Sequence, residues 1–113
     1  MPYLTVYTNA EVKNGEKLAE KASEFVAETL HKPISYVVAN IVYNPSMAHG
    51  GSSQNKGALI ELKSIGFNNK DTLIKELTNF FAKELEIENQ QYINISLTDI
   101  PAAYTAASGR AFG

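Results

Sequence analysis

The chain has 113 residues, a length that fits one domain with an apolar core of useful size. Its hydrophobic content of 44%, with 19% charged residues, is typical of a globular domain and argues against disorder. The net charge of −2 is too small to indicate nucleic acid or a membrane surface as a partner. The absence of cysteine excludes disulfides, thiol catalysis and cysteine-ligated metals.

The first half of the chain is predicted to form a strand, a helix and a second strand. Residues 2–8 (PYLTVYT) are rich in β-branched and aromatic residues, which favours a strand. Apolar residues then share one face at helical spacing, namely Leu18, Ala22, Phe25, Val26 and Leu30. Pro33 ends this helix, because the residue before a proline is pushed out of the α region. Residues 36–43 (YVVANIVY) predict the second strand, and residues 44–57 predict a loop.

The second half repeats this order. Residues 58–64 predict a strand, residues 71–85 a helix and residues 92–97 a fourth strand. The inward positions expected for that helix are Leu73, Ile74, Leu77, Phe80, Phe81 and Leu85. Each helix is followed by a short polar link and a tyrosine (Tyr36, Tyr92) that is expected to open the next strand. The sequence therefore predicts one α+β domain over residues 1–113, built from two βαβ halves of about 1–56 and 57–113. A four-stranded sheet would carry both helices on one face.

The predicted second strand is apolar on both faces. Val38 and Val42 point to one face, whereas Val37, Ala39 and Ile41 point to the other. In a two-layer domain the sheet face without helices should be polar. One interpretation is a sheet that is simply somewhat apolar. The favoured interpretation is that other copies of the chain bury this face in a closed ring.

Pro2 is notable because it directly follows Met1. Methionine is normally removed before a small residue, and the nitrogen of a first-residue proline is a free secondary amine. An α-amino group titrates at about 7.7–8.0, so it can act as a base near neutral pH. With Met1 attached, the same nitrogen is a non-basic amide.

Five motifs occur in a defined order along the chain: MPYLTVYTN, HKPISYV, MAHGGSS, KSIG and YIN. With these motifs the sequence resembles the macrophage migration inhibitory factor family of the tautomerase superfamily, over essentially its whole length. The resemblance implies a homotrimer of duplicated βαβ subunits. It also implies a pocket at each subunit interface, with the amino-terminal proline at its base.

The resemblance implies that Pro2 is the general base that moves a proton between carbon and oxygen of a keto–enol pair. Lys32 would lower the pKa of that amine and bind the carboxylate of a small 2-keto acid. Without the resemblance, Lys32 would be interpreted as a lysine favoured by the helix dipole. In KSIG, Ser64 and Ile65 would bind substrate, and Ile65 would do so through its backbone N–H.

Two further pairs of residues are implied to bind substrate. Tyr92 and Asn94 share one face of the predicted fourth strand, opposite an apolar face, and would reach into the neighbouring subunit's pocket. Phe112 would lie near the pocket rim together with Tyr36, although a packing role for Tyr36 is an equal alternative.

The departures from the family limit what the resemblance implies. Residues 102–109 lack the tryptophan that some members place over the substrate, so a preference for aromatic substrates does not follow from the resemblance; GALI at 57–60 replaces a Cys-x-x-Cys, so no thiol–disulfide activity is expected. Arg110 is the only arginine, which favours a monocarboxylic 2-keto acid bound by lysine over a diacid. His31 and His49 lie in different loops, so no metal site is expected.

The sequence thus predicts a cofactor-independent isomerase of the phenylpyruvate tautomerase type. One alternative is a cytokine-like protein that binds a protein receptor and keeps a vestigial pocket. Another is a purely structural module. No signal peptide or membrane span is expected, so the predicted location is the cytoplasm, with export by a non-classical route as the alternative.

Overall fold

Two βαβ units, one after the other, build the protein. The computed structural model describes residues 1–113, and it confirms the predicted α+β fold with a four-stranded sheet. In chain order the main elements are β1 (Tyr3–Thr8), α1 (Gly15–Leu30), β2 (Val38–Tyr43), β3 (Ala58–Ser64), α2 (Lys70–Glu84) and β4 (Ile93–Asp99).

The strand order in the sheet is β2-β1-β3-β4. Each unit contributes a parallel pair, β1 with β2 and β3 with β4, whereas β1 and β3 pair antiparallel at the centre. Strand β1 therefore has a neighbour on both sides, and its first residue lies beside the end of β3. The outer strands, β2 and β4, each leave one edge unpaired.

The core lies between the helices and one face of the sheet. Alternate residues of β1 and β3 are buried there, with Leu4, Val6, Ile60 and Leu62 at most 1% exposed. The helices cover them with Leu18, Ala22, Val26, Leu73, Leu77 and Phe81. Phe25 and Phe80 join the two helices through stacked rings whose centroids are 4.4 Å apart. Burial of these apolar side chains is the main stabilising contribution to the fold.

Two predicted strand starts were wrong, for the same physical reason. Tyr36 and Tyr92 do not open strands but end short 3₁₀ turns, Ile34–Tyr36 and Gln90–Tyr92. The Tyr36 N–H donates to the Pro33 carbonyl, and the Tyr92 N–H donates to the Asn89 carbonyl, each at 3.1 Å. Strand β2 therefore begins only at Val38, and β4 begins at Ile93 and extends to Asp99.

The helix boundaries depend on two asparagine caps. The side chain of Asn14 accepts the Lys17 N–H, so α1 begins at Gly15. The side chain of Asn69 accepts the Thr72 N–H, so α2 begins at Lys70, one residue before the predicted start. The inward assignment of Ile74 was wrong, since 37% of it is exposed. The buried stripe of α2 consists of residues spaced by four and turns Ile74 toward solvent.

A C-terminal hairpin completes the chain and was not predicted. After a 3₁₀ turn at Ala102–Tyr104, β5 (Ala106–Ala107) pairs with β6 (Arg110–Ala111) as a separate two-stranded sheet. The connecting residues Ser108 and Gly109 both have positive φ angles, 54° and 74°, as a tight hairpin turn requires.

Candidate active site

Pro2 lies at the beginning of the central strand, where residues on both sides fix its position. Its side chain is fully buried. Its carbonyl oxygen accepts the N–H of Val38 at 3.0 Å, and the next residue, Tyr3, pairs with Val38 on one side and Lys63 on the other. The nitrogen of Pro2 is therefore held in the sheet and not on a loose terminus.

Lys32 reaches this end of the sheet because α1 stops abruptly. His31 adopts a left-handed conformation with φ 55°, and the Lys32 N–H donates to the Ala27 carbonyl at 3.0 Å. The half-buried Lys32 side chain then extends until its Nζ lies 3.5 Å from the Ile65 carbonyl oxygen. The structure thus brings Lys32 and Ile65 together.

The charge of Lys32 affects the pKa of the amino terminus. The pKa of the Met1 α-amino group is lowered, first because burial penalises the charged form and second because Lys32 repels the ammonium ion. Burial and Lys32 therefore shift this amino group toward its neutral form, which is the form that can accept a proton.

The turn after β3 offers a free donor. The Ile65 N–H has no acceptor within the chain, although its carbonyl oxygen faces Lys32. Ser64, by contrast, is completely buried, and its Oγ has no hydrogen-bond partner. Of the two predicted residues, Ile65 presents a polar backbone group at the half-buried surface, and Ser64 places its hydroxyl in the interior.

The aromatic residues predicted at the rim contact each other. The rings of Tyr36 and Phe112 meet edge to face, with centroids 5.9 Å apart, and both side chains are exposed. The C-terminal hairpin holds Phe112 in place, because the Phe112 N–H donates to the Thr105 carbonyl at 2.9 Å.

Tyr92 and Asn94 lie at the other end of the sheet. Asn94 is beside Leu59, which in turn is beside Tyr7, five positions along β1 from Pro2. At about 3.3 Å per residue, this separation is roughly 16 Å. A single chain therefore does not bring Tyr92 and Asn94 to Pro2.

No large groove of the single chain surrounds Pro2. A groove of about 420 Å³ lies on the helix side, between the start of α1 and the end of α2, and charged side chains dominate its lining. The ion pairs Lys13–Glu86 and Lys21–Glu84 lie beside it. Neither this groove nor the three smaller ones reaches Pro2 or Lys32.

Two polar residues that hold the loops around the sheet were not identified from the sequence. Asn9 is buried, and its side chain bonds the backbone of Met47, Asn55 and Gly57, which fixes the long loop between β2 and β3. Asp99 ends β4 and accepts the Gly66 N–H at 2.9 Å. The available signals were an asparagine at the end of a strand and an aspartate in a turn-prone segment, and neither signal specifies its partner.

Two structural features bear on metals and membranes. No group of three or more His, Cys, Asp or Glu side chains could hold a metal ion. No helix combines the length and apolar character that crossing a bilayer would require.

This duplicated βαβ subunit, in which Pro2 directly precedes the central strand β1, has the tautomerase-superfamily fold. The chain belongs to the macrophage migration inhibitory factor family, since the family model described as "Macrophage migration inhibitory factor (MIF)" matches residues 1–113.

Individual relatives agree with this assignment. The chain is 37% identical over 120 residues to a macrophage migration inhibitory factor homolog of Brugia malayi and 34% identical to one of Wuchereria bancrofti, with complete coverage of each chain. The crystal structure of the homologue from Prochlorococcus marinus superimposes with a TM-score of 0.86 at 25% identity. That match covers 98% of this chain and 99% of the other.

Proposed function

We propose that this protein is a cofactor-independent keto–enol tautomerase of the phenylpyruvate type, with Pro2 as general base. The observation that carries the proposal is the environment of the amino terminus. Pro2 is fully buried, and the pKa of the α-amino group of the preceding residue, Met1, is lowered by burial and by the charge of Lys32.

The proposed base is the secondary amine that removal of Met1 exposes on Pro2. In its neutral form, the nitrogen takes a proton from C3 of the 2-keto acid, and the C3–H electron pair moves to form the enolate. The ammonium ion then delivers a proton to the oxygen on C2, which gives the enol and restores the neutral amine. The reaction moves one proton within the substrate and needs no oxidant, reductant or cofactor.

Four of the site residues support an arylpyruvate as the substrate. Lys32 is the cation that lowers the pKa of the amino terminus, and its ammonium group can pair with one carboxylate. The unpaired Ile65 N–H supplies a second donor. The edge-to-face rings of Tyr36 and Phe112 offer an apolar contact for an aryl group, so an arylpyruvate fits better than a diacid.

The proposed working form is a homotrimer. Val38 and Leu59, on the sheet face without helices, are 56% and 40% exposed, and Tyr43 on the edge strand β2 is 52% exposed. A closed ring of three copies would cover these apolar groups and the free strand edges. It would also let Tyr92 and Asn94 of one copy reach the Pro2 end of another, which a single chain cannot do.

The test combines mass, turnover and two proline variants. Intact mass should show loss of Met1, and the purified protein should accelerate the tautomerisation of phenylpyruvate, followed by the absorbance of its enol. Pro2→Gly should lose most of the activity, while Pro45→Gly, in an exposed loop, should retain it. Full activity of a variant with alanine inserted between Met1 and Pro2 would refute the proposal, because its Pro2 nitrogen is an amide.

A second candidate is a signalling role through a protein receptor. The two curated relatives bear the name of a factor that inhibits macrophage migration. A migration assay with the unmodified protein and with Pro2→Gly separates the two roles. Equal inhibition by both proteins, without measurable turnover in either, would favour the receptor role over the enzyme.

A further inference from the structure

The turn that carries Ile65 is held from both sides by the end of β4. Before Ile65, the Ser64 carbonyl accepts the N–H of Ile100 at 2.9 Å. After Ile65, the Gly66 N–H donates to the Asp99 carboxylate, also at 2.9 Å. Both bonds come from adjacent residues at the end of β4, where Asp99 lies beside Ser64 in the parallel ladder.

This clamp fixes both peptides of Ile65: Ile100 holds the one that carries the Ile65 N–H, and Asp99 holds the one that carries the Ile65 carbonyl. Gly66 has a φ angle of 77°, so the chain reverses immediately after Ile65. Without the bond to Asp99, the bond from Ile100 still holds the peptide between Ser64 and Ile65, but the peptide between Ile65 and Gly66 can rotate. The Ile65 carbonyl, which lies 3.5 Å from the Lys32 ammonium, would move with the same turn.

The negative charge of Asp99 and its hydrogen bond to Gly66 would have opposite effects on substrate binding, so variants can separate them. A carboxylate close to a site that binds an anionic substrate repels it. We propose that Asp99 is a positioning residue, whose carboxylate oxygen fixes the peptide between Ile65 and Gly66 and, through the Ile65 carbonyl, positions the Lys32 ammonium for the substrate. This inference rests on the proposed tautomerase function.

The experiment compares Asp99→Ala, Asp99→Asn and Asp71→Ala in phenylpyruvate tautomerisation. Asp99→Ala removes the acceptor and should raise KM about 3–10-fold, with kcat changed less than about 2-fold, since the Lys32 ammonium that it displaces binds the substrate carboxylate in ground and transition states alike. Asp99→Asn keeps an acceptor oxygen without the charge, so its KM should equal or fall below the original value. Asp71, an exposed carboxylate paired with Lys70 on α2, is the matched control and should change nothing.

A structural readout accompanies the kinetics. Amide hydrogen exchange of Gly66, followed by NMR, should be slow in the unmodified protein and in Asp99→Asn but faster in Asp99→Ala. Unchanged exchange in Asp99→Ala would overturn the inference, and so would an increase in KM in Asp99→Asn as large as that in Asp99→Ala. An unmodified protein that lacks tautomerase activity would instead refute the proposed function, and Gly66 exchange would still show whether Asp99 holds the turn.

Discussion

Burial and the charge of Lys32 are expected to lower the pKa of the amine proposed at Pro2. Burial removes water that would stabilise the ammonium ion, and the charge of Lys32 repels it, so both lower the pKa of an amine at this end of the sheet. The same lysine can attract the carboxylate of the substrate. One residue thus favours the neutral base and binds the anion on which that base acts.

The pH dependence of activity tests the first of these roles. Because the neutral amine is the active form, kcat/KM should rise with pH through one ionisation and fall on the acid side. The midpoint should lie below the ordinary α-amino range of about 7.7–8.0. Lys32→Gln removes the repelling charge, so the pKa of the amine should rise and the midpoint should move to higher pH. Lys32→Arg, which keeps the charge, should leave the midpoint in place; a midpoint that stays fixed in Lys32→Gln would show that Lys32 does not tune the base.

Asn9 is the polar residue on which the long loop between β2 and β3 most depends. Its amide makes three hydrogen bonds to backbone groups of that loop from a site only 2% exposed. Asn9→Ala should lower the free energy of unfolding by about 2–4 kcal/mol, since it leaves buried donors and acceptors unpaired. Asn68→Ala, at an exposed position, should change it by less than about 0.5 kcal/mol. Urea denaturation of both variants measures the difference, and equal midpoints would contradict the assigned role.

At the scale of elements, the sequence predicts the type and order of strands and helices well because each has a strong local signal. β-Branched and aromatic residues mark β1, alternating apolar and charged residues at 60–63 (IELK) mark β3, and the spacing of Leu18, Ala22 and Val26 marks α1. The ends were less predictable, since a 3₁₀ turn at Ile34–Tyr36 depends on one backbone hydrogen bond and leaves the apolar pattern intact. The C-terminal hairpin was missed because its strands have two residues each, too few to show a period.

The end of the loop between β2 and β3 packs against the residue before β4 with almost no free space. A Cβ on Gly57 would overlap the carbonyl oxygen of Tyr92 and lie 2.7 Å from its Cβ, so backbone would have to move. Gly57→Ala should therefore destabilise the fold by about 3 kcal/mol or more and displace Tyr92. Gly15→Ala is the control: its added Cβ would meet only Val12 at 3.8 Å, and alanine favours the helix by up to about 1 kcal/mol. Thermal unfolding of both variants checks the contrast, and a Gly57→Ala protein as stable as the original would contradict it.

At the scale of the molecule, the residues implied to bind substrate fall into two groups at opposite ends of the sheet. Pro2, Lys32 and Ile65 lie at one end, and Tyr92 and Asn94 lie at the other. Periodicity and spacing describe neighbours along the chain and carry no information about the distance between sheet ends. The resemblance to the family supplied the expectation that a second copy joins the two groups, and the geometry of the single chain makes a second copy necessary if both groups serve one site.

This arrangement predicts that two defective variants can restore each other. Pro2→Gly replaces the secondary amine by a more mobile primary amine, and Asn94→Ala lacks the group proposed to reach into the neighbouring copy, so each alone should have low activity. In trimers assembled from an equal mixture, some sites combine an intact Pro2 from one copy with an intact Asn94 from the next. Random assembly makes about one quarter of the sites complete in this way. Co-refolding the two variants and measuring phenylpyruvate turnover should therefore recover about that fraction of the original activity.

The matched control is a mixture of Pro2→Gly with Lys32→Ala. Both residues lie at the same end of one chain, so every site in the mixed trimers lacks one of them, and activity should stay as low as in the separate variants. Native mass spectrometry of each mixture establishes that mixed trimers have formed. If such trimers form and the first mixture recovers no activity, or if the control recovers as much, Asn94 does not complete a neighbour's site.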